Sequence, residues 1–306
     1  GKKSNSDNIG AMSLEVVSYA GWERCACLRS GSLCAYVTLE VGPRVIGLEY
    51  GGSPNLFHVK ESTAGLAGGE EYRGYGGHRL WTAPEILEIT CTPDNEAVVV
   101  EEAGEGAIFT TARSPVGLQK SIEIQPVPTG FTMIHRVRNV GTTVHEIAPW
   151  ALSVMRTGGE VWVPMPAYRS HGAESLLPVA PLVLWSYTNL GDGRYFFDDK
   201  TVRLRQTDAG PTKFGMFVEQ GLAVAFLDGL AFATTFDAER GASYPDMGCN
   251  FESFTRHDML EVETLGPMVT LKPGDLATHT IGWHVRPGEA SPAMFDAILA
   301  DLRGNS

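Results

Sequence analysis

The chain has 306 residues, of which 43% are hydrophobic, 20% charged and 9% aromatic, a composition typical of globular proteins and not of disordered or fibrous ones. Its formal net charge of −12 would repel phosphate backbones, and no local Lys/Arg cluster offsets that charge, so we expect no nucleic-acid partner. We also expect no membrane span, because no apolar run reaches about 18 residues.

Residues 1–12 are mostly polar, and they are expected to form a disordered tail or to be an expression scar. They contain no apolar segment of the kind that a signal peptide requires. Such a tail could equally follow an export signal that has been removed. The sequence is therefore compatible with a cytoplasmic and with an exported protein, and it leaves the oligomeric state open.

Short segments rich in Val, Ile, Thr, Phe and Tyr dominate the chain. They show rough period-two alternation and are separated by Gly, Pro, Asn and Asp, which indicates antiparallel β structure. So many strands require more than one sheet. The predicted strands are Ser32 to Val41, Arg44 to Tyr50, Ile86 to Thr92, Glu96 to Glu102, Gln119 to Gln125, Phe131 to Val140, Val144 to Met155, Val202 to Gln206, Lys213 to Glu219, Leu222 to Leu227, Met259 to Leu265 and Asp275 to Val285.

One helix is predicted, from Ser291 to Arg303, with Ser291 as the cap, Pro292 at the first helical position and an apolar stripe of Met294, Ile298 and Leu302. We expect it to pack on the outside of a sheet. Since no interdomain linker is visible, residues 13–306 are interpreted as one all-β domain of two large antiparallel sheets packed face to face.

The segment from Arg73 to Glu85 combines three glycines with His78, Arg79, Trp81 and Glu85. Glycines let the backbone turn or approach a ligand closely. The other side chains supply charge, hydrogen bonds and a flat apolar face. This mixture indicates a binding site for a small polar molecule such as a sugar.

A second concentration of polar residues lies near the C-terminal end. In an alternating strand, Glu261 and Glu263 would share one face. Repulsion between two crowded carboxylates would raise the pKa of one of them and provide a base that works near neutral pH. If that face were exposed to solvent, the two glutamates would be ordinary surface residues. Asn250 and Glu252 likewise alternate onto one face of a preceding strand.

The pattern resembles the galactose mutarotase-like superfamily, the β-supersandwich fold of aldose 1-epimerases. The similar segments are the glycine motif ending at Pro84, the run from Ala148 to Ser153, and Glu263 followed by the Pro-Gly turn at Gly274. They extend over roughly residues 13 to 285. The DUF4380-type branch of that superfamily is the most similar, since it shares the Trp-Thr-Ala-Pro-Glu motif.

The resemblance implies that Glu263 removes the proton of an anomeric hydroxyl group. It also implies a histidine acid that protonates the ring oxygen, but this chain has Ser153 at that position, and a hydroxyl group is too weak an acid for the role. His78 is the substitute that we expect, because imidazole titrates in the right range. The predicted catalytic pair is therefore Glu263 and His78.

The predicted ligand is a small carbohydrate, and neither a metal nor a cofactor is expected, since no zinc-type cysteine pair or dinucleotide-binding motif occurs. A sugar-binding module without chemistry, or another carbohydrate-active enzyme such as a lyase or hydrolase, remains an alternative. The residues predicted to contact the sugar are Arg79, Trp81, Glu85, Trp150, Lys213, Asn250 and Glu252.

Overall fold

The computed structural model describes residues 14–304 as two large antiparallel sheets packed face to face, as predicted. The first sheet has eleven strands and the second has ten. Within the described residues, no helix is long and apolar enough to cross a membrane. The predicted tail at 1–12 lies outside the described part of the chain.

The first sheet runs in the order β1-β2-β3-β4-β5-β10-β19-β18-β15-β12, with β20 also paired to β10. Its strands are β1 (Glu15–Tyr19), β2 (Trp22–Ser30), β3 (Leu33–Thr38), β4 (Arg44–Tyr50), β5 (Gly77–Ala83), β10 (His145–Met155), β12 (Leu182–Leu184), β15 (Thr212–Met216), β18 (Phe251–Arg256), β19 (Met259–Leu265) and β20 (Val269–Leu271).

The second sheet runs in the order β13-β14-β11-β16-β17-β21-β9-β8-β7-β6. Its strands are β6 (Val99–Ala103), β7 (Gly106–Thr110), β8 (Leu118–Val127), β9 (Gly130–Asn139), β11 (Glu160–Pro164), β13 (Tyr195–Phe197), β14 (Thr201–Arg205), β16 (Leu222–Leu227), β17 (Leu230–Phe236) and β21 (Leu276–Pro287).

Alternation along the strands builds the core between the sheets. In β16, Ala223, Ala225 and Leu227 face the first sheet, whereas Leu222, Val224 and Phe226 face outward. The outward set is covered by the C-terminal helix α3 (Pro292–Arg303), which packs Phe295 and Ile298 against it. The Ser291 side chain accepts a hydrogen bond from the Met294 backbone N–H, which confirms the predicted cap.

One predicted strand is wrong. Ile86 to Thr92 contains the one-turn helix α1 (Leu87–Thr90) instead. The Thr90 hydroxyl accepts from the Ile86 backbone N–H and donates to the Thr82 carbonyl, so it closes a local turn that competes with an extended backbone. A second one-turn element, α2 (Pro245–Gly248), contains the left-handed residues Asp246 and Met247, with φ of 50° and 63°.

Two glycines at the start of β5 allow close packing of neighbouring backbone. Gly76 and Gly77 have φ of +90° and +68°, and an added Cβ atom would lie 2.1 Å from the His58 carbonyl oxygen and 2.3 Å from the Val45 carbonyl oxygen, respectively. Backbone from neighbouring segments therefore occupies the space that a side chain would need.

We expect Gly77→Ala to lower the free energy of unfolding by about 2 kcal/mol or more, because it adds both a backbone clash and a left-handed non-glycine residue. Gly74→Ala is the matched control, since its Cβ would meet nothing within 4 Å. Urea denaturation of both variants measures the difference, and equal stabilities would contradict this account.

Candidate functional site

Strand pairing sorts the predicted site residues between the two faces of the first sheet. Leu152 of β10 lies opposite Arg79 of β5 and Glu263 of β19, and Glu252 of β18 lies opposite Glu263. Directly paired residues point to the same side of a sheet. Arg79, Glu252 and Glu263 therefore share the face that points away from the sandwich core, here called the outer face.

The centre of the outer face is a cluster of Lys213, Glu252 and Glu263, here called the lysine–carboxyl cluster. The Lys213 Nζ atom lies 2.7 Å from Glu252 Oε2 and 3.1 Å from Glu263 Oε2. Both glutamates have no exposed area and Lys213 is 5% exposed. Such a buried group of charges persists only if its members compensate one another.

Two indole rings enclose the Lys213 ammonium group. Its nitrogen lies 4.8 Å from the ring centre of Trp150 and 4.7 Å from that of Trp185, within the range of a cation–π interaction. The Trp150 indole N–H also donates a 3.0 Å hydrogen bond to Glu263 Oε2. Glu252 Oε1 and Glu263 Oε1 have no hydrogen-bond partner within residues 14–304, although both are buried.

Burial and one shared ammonium group determine the protonation of the two carboxyls. Burial raises the pKa of Glu263 to about 7 despite the opposing effect of Lys213, and it raises the pKa of Glu252 well above its usual range. The two carboxylates raise the pKa of Lys213 against the effect of its burial. Burial therefore favours the neutral form of Glu252, while Lys213 stays charged and Glu263 titrates near neutral pH.

Arg79 and Trp81 form a second group beside this cluster. The Arg79 guanidinium lies 4.2 Å from the ring centre of Trp81 and 3.2 Å from Glu261 Oε1, where it forms an ion pair. Trp81 in turn packs edge-on against Trp150, with ring centres 5.4 Å apart. The strand pairing of Glu261 and Glu263 confirms that these two carboxyl groups share a face.

The position of His78 contradicts the predicted acid/base pair. It lies opposite Ser153 and faces the sandwich core, the other side of the sheet from Glu263. Its Nδ1 is 2.9 Å from Ser153 Oγ and its Nε2 is 2.7 Å from His135 Nε2. Burial, followed by the neighbouring His135, lowers the pKa of His78 well below its usual value. The predicted pairing of His78 with Glu263 is therefore wrong.

The direction of these core hydrogen bonds follows from the His279 carbonyl oxygen, which can only accept a hydrogen bond. His135 Nδ1 lies 3.1 Å from the His279 carbonyl oxygen and therefore donates to it. In neutral rings, His135 Nε2 then accepts from His78 Nε2–H, and His78 Nδ1 accepts from the Ser153 hydroxyl. Because Ser153 also faces the core, its identity says nothing about an acid on the outer face.

Two of the residues that were predicted to contact the sugar, Asn250 and Glu85, do not join the lysine–carboxyl cluster. The Asn250 amide is fully buried and bonds both the N–H and the carbonyl of Val218, so it is committed to the chain itself and not to a ligand. Glu85 is exposed just beyond β5. The Arg79 ion pair is with Glu261 and not with Glu85.

Trp185 was missed by the sequence reasoning. It lies after the short strand β12, and its backbone N–H is held by the Thr188 hydroxyl, which also donates to the Lys213 carbonyl. The segment that carries Trp185 and Tyr187 thus lies against β15 and covers Lys213. The aromatic spacing at 185 and 187 was the available signal.

Solved structures identify the architecture. A galactose mutarotase-like protein from Lactobacillus casei matches 86% of this chain and 100% of its own, with a TM-score of 0.57 and 9% identity. A candidate aldose 1-epimerase from Escherichia coli K12 matches 86% of this chain and 99% of its own, with a TM-score of 0.53 and 12% identity. The chain has the galactose mutarotase-like fold.

The mutarotase-like fold also matches part of a larger protein. A TPR-domain containing protein from Parabacteroides distasonis matches over 88% of this chain and 48% of its own, with a TM-score of 0.60 and 14% identity. No protein-family model and no curated protein sequence matches the chain. The likeness therefore concerns the fold.

We expect Lys213→Met to lower the free energy of unfolding by about 3–5 kcal/mol at neutral pH, because it removes the ammonium group from two buried carboxyls. Glu252→Gln is the matched control and should change it by less than about 1 kcal/mol, because a neutral amide of similar volume replaces a carboxyl whose neutral form is favoured by burial. Chemical denaturation of both variants at pH 7 measures the two effects. The reverse ranking would refute the assigned protonation states.

The buried histidines should make stability fall in acid. Burial lowers the pKa of His135 to about 4, whereas an unfolded histidine has a pKa of about 6.5. The unfolded chain binds the extra proton between these values, so the contribution is fully present above about pH 6.5 and is lost towards pH 4.

The matching experiment compares His135→Gln with wild type by urea denaturation at pH 6.5 and 4.5. The variant should lose about 2 kcal/mol less over that interval, because a neutral amide cannot take up the proton. Replacing the exposed His171 by Gln serves as the control and should leave the pH dependence unchanged. Parallel curves for wild type and His135→Gln would contradict the prediction.

Proposed function

We propose that this protein is an aldose 1-epimerase-like isomerase that interconverts the anomers of a sugar at the lysine–carboxyl cluster. The observation that carries the proposal is the pair of fully buried carboxyls, Glu252 and Glu263, which lie on one face at 2.7 and 3.1 Å from the Lys213 ammonium nitrogen. Burial raises the pKa of both, that of Glu263 to about 7, so the pair can offer a proton donor and a proton acceptor. Opening a sugar ring requires a proton donor and a proton acceptor at the same time. The candidate epimerase that shares this fold supports the same reaction class.

In the proposed reaction, the ionised Glu263 takes the proton of the anomeric hydroxyl group. The C1–O5 bond then breaks with its electron pair moving to the ring oxygen, which takes the proton of Glu252, and C1 becomes an aldehyde. Rotation about C1–C2 and the reverse steps close the ring on the other face. Lys213 contacts both carboxyls, so the total charge beside its ammonium group is the same before and after ring opening.

Sugar contacts are proposed for the side chains around the cluster. Trp81, Trp150 and Trp185 offer indole faces to the apolar side of a pyranose ring, and Arg79 has a buried Nε atom without a hydrogen-bond partner in the described chain. The exposed Glu85 is proposed to lie at the rim. Because both catalytic carboxyls have no exposed area, a sugar reaches them only when Lys213 and Trp185 move aside.

The second candidate is a sugar-binding protein without chemistry. It is favoured by one observation, the complete burial of Glu252 and Glu263 beneath Lys213 and Trp185. In that case the cluster would stabilise the sheet, and the sugar would contact only the exposed edges of the indole rings. Anomer exchange distinguishes the two functions directly.

The expected result is accelerated exchange between α and β anomers for at least one member of a panel of neutral hexoses and uronic acids, measured by NMR exchange spectroscopy. Glu263→Gln should reduce the rate about 10²–10⁴-fold, because an amide cannot accept the proton. Glu105→Gln, at an exposed turn of the second sheet, is the control and should not change it. Sugar binding without any exchange would leave the binding protein as the function.

The pH dependence of the same rate is a separate test. Activity should rise as Glu263 loses its proton, with a half-maximal value near pH 7. The profile of kcat/KM from pH 5 to 8 measures this rise. A rate that is constant between pH 5 and 8 would exclude Glu263 as the base.

A further inference from the structure

A cavity lies between the two sheets at a place that does not include the lysine–carboxyl cluster. It has a volume of about 410 Å³ and is formed where the loops at 92–96 and 111–115 approach β5 and β8. Trp81 and Leu80 of β5 and Leu118 and Lys120 of β8 line it. We name it the Lys120 cavity after its one half-buried lysine.

Lys120 is an unusual residue for this position. It lies two residues from Leu118 and from Ile122, both of which belong to the sandwich core, so it shares their face and points inward from β8. Within residues 14–304, the ion pairs made by lysines belong to Lys200 and Lys213, and Lys120 has none. An inward ammonium group without a counter-ion is unfavourable unless a ligand supplies one.

Among Lys120, Arg44 and Arg79, only Lys120 has no ion-pair partner within residues 14–304, although the cavity lining also carries Arg113 and the three acids Glu70, Asp94 and Glu96 and has no overall excess of positive charge. Arg44 forms an ion pair with Asp94 at 2.9 Å, and Arg79 forms one with Glu261 at 3.2 Å, so each guanidinium already has its carboxylate. Burial lowers the pKa of Lys120 to about 8. The neighbours that act on it are Asp94 and Cys91, which raise the pKa, and Arg44 and Arg79, which lower it.

The walls indicate what kind of anion fits. Leu80, Leu118 and Trp81 form an apolar side suited to the flat face of a ring. The exposed acids Glu70 and Glu96 at the rim would repel a multiply charged anion. A ring that bears a single carboxylate matches the size, the apolar wall and the charge.

We propose that the Lys120 cavity is a separate binding site for a small ring-containing monocarboxylate, of the uronic acid type, whose carboxylate pairs with the Lys120 ammonium group. The site neither uses nor requires the proposed anomer chemistry. Trp81 lies between the Lys120 cavity and the lysine–carboxyl cluster. It lines the cavity and packs against Trp150, whose indole N–H donates a hydrogen bond to Glu263.

The test is calorimetric titration of the full chain at pH 7 with methyl β-D-glucuronide. The locked anomer cannot be isomerised, and methyl β-D-glucoside is the neutral probe of the same shape. The glucuronide should bind at least tenfold more tightly than the glucoside, and inorganic phosphate should not compete. Equal affinity for the two glycosides, or no binding of the glucuronide at millimolar concentration, would overturn the proposal.

The glucuronide affinities of variants test whether the ligand binds in the Lys120 cavity. Lys120→Gln should weaken glucuronide binding at least tenfold, whereas the exposed Lys272→Gln, with the same change of charge, should not. Loss of binding in Glu263→Gln but not in Lys120→Gln would assign the ligand to the lysine–carboxyl cluster and overturn the proposal.

A measurement on the wild-type protein covers the case that Lys120→Gln does not fold. The bound carboxylate favours the charged lysine, so binding at pH 8.5 should take up protons, and affinity should fall above about pH 8. Titration in two buffers of different ionisation enthalpy detects the uptake. Binding that takes up no protons at pH 8.5 would show that the carboxylate does not pair with Lys120.

Discussion

The pairing register of β5, β10 and β19 is the constraint on which the rest of the molecule depends. Because side chains alternate at every residue and paired residues share a side, the pairing of Leu152 with both Arg79 and Glu263 sends those two side chains to the outer face. The same register sends His78 and Ser153 into the core. A shift of one residue would bury the charged groups between the sheets and expose the histidine.

Charge compensation differs between the two polar regions of the molecule. On the outer face, one ammonium group lies beside two buried carboxyls, and burial raises the pKa of both. Beside the Lys120 cavity, two arginines have their own carboxylates, whereas Lys120 forms no ion pair within residues 14–304. This lysine occurs in a chain with a net charge of −12, so overall charge is a poor guide to what a buried site binds.

Much of the fold followed from local patterns. The predicted strands at Leu222 to Leu227 and Met259 to Leu265 coincide with β16 and β19, and the helix cap at Ser291 is present as expected, because alternation, β-branched residues and capping act within a few residues. The segment at Ile86 was predicted as a strand on composition, but hydrogen bonds of the Thr90 hydroxyl close a turn there. Tertiary packing, and not a ligand, explains Gly76 and Gly77.

Local patterns were enough to predict the all-β architecture, the inward and outward alternation within each strand, and the shared face of Glu261 and Glu263, because these depend on a period of two along one strand. Which face belongs to the core depends on which strands pair and in what register, so it became known from the three-dimensional structure. The tertiary structure placed His78 beside His135 and brought Lys213, from a strand 50 residues before Glu263, between the two carboxyls. Contacts between segments so far apart in the chain leave no local pattern, which is why the predicted pairing of His78 with Glu263 was wrong.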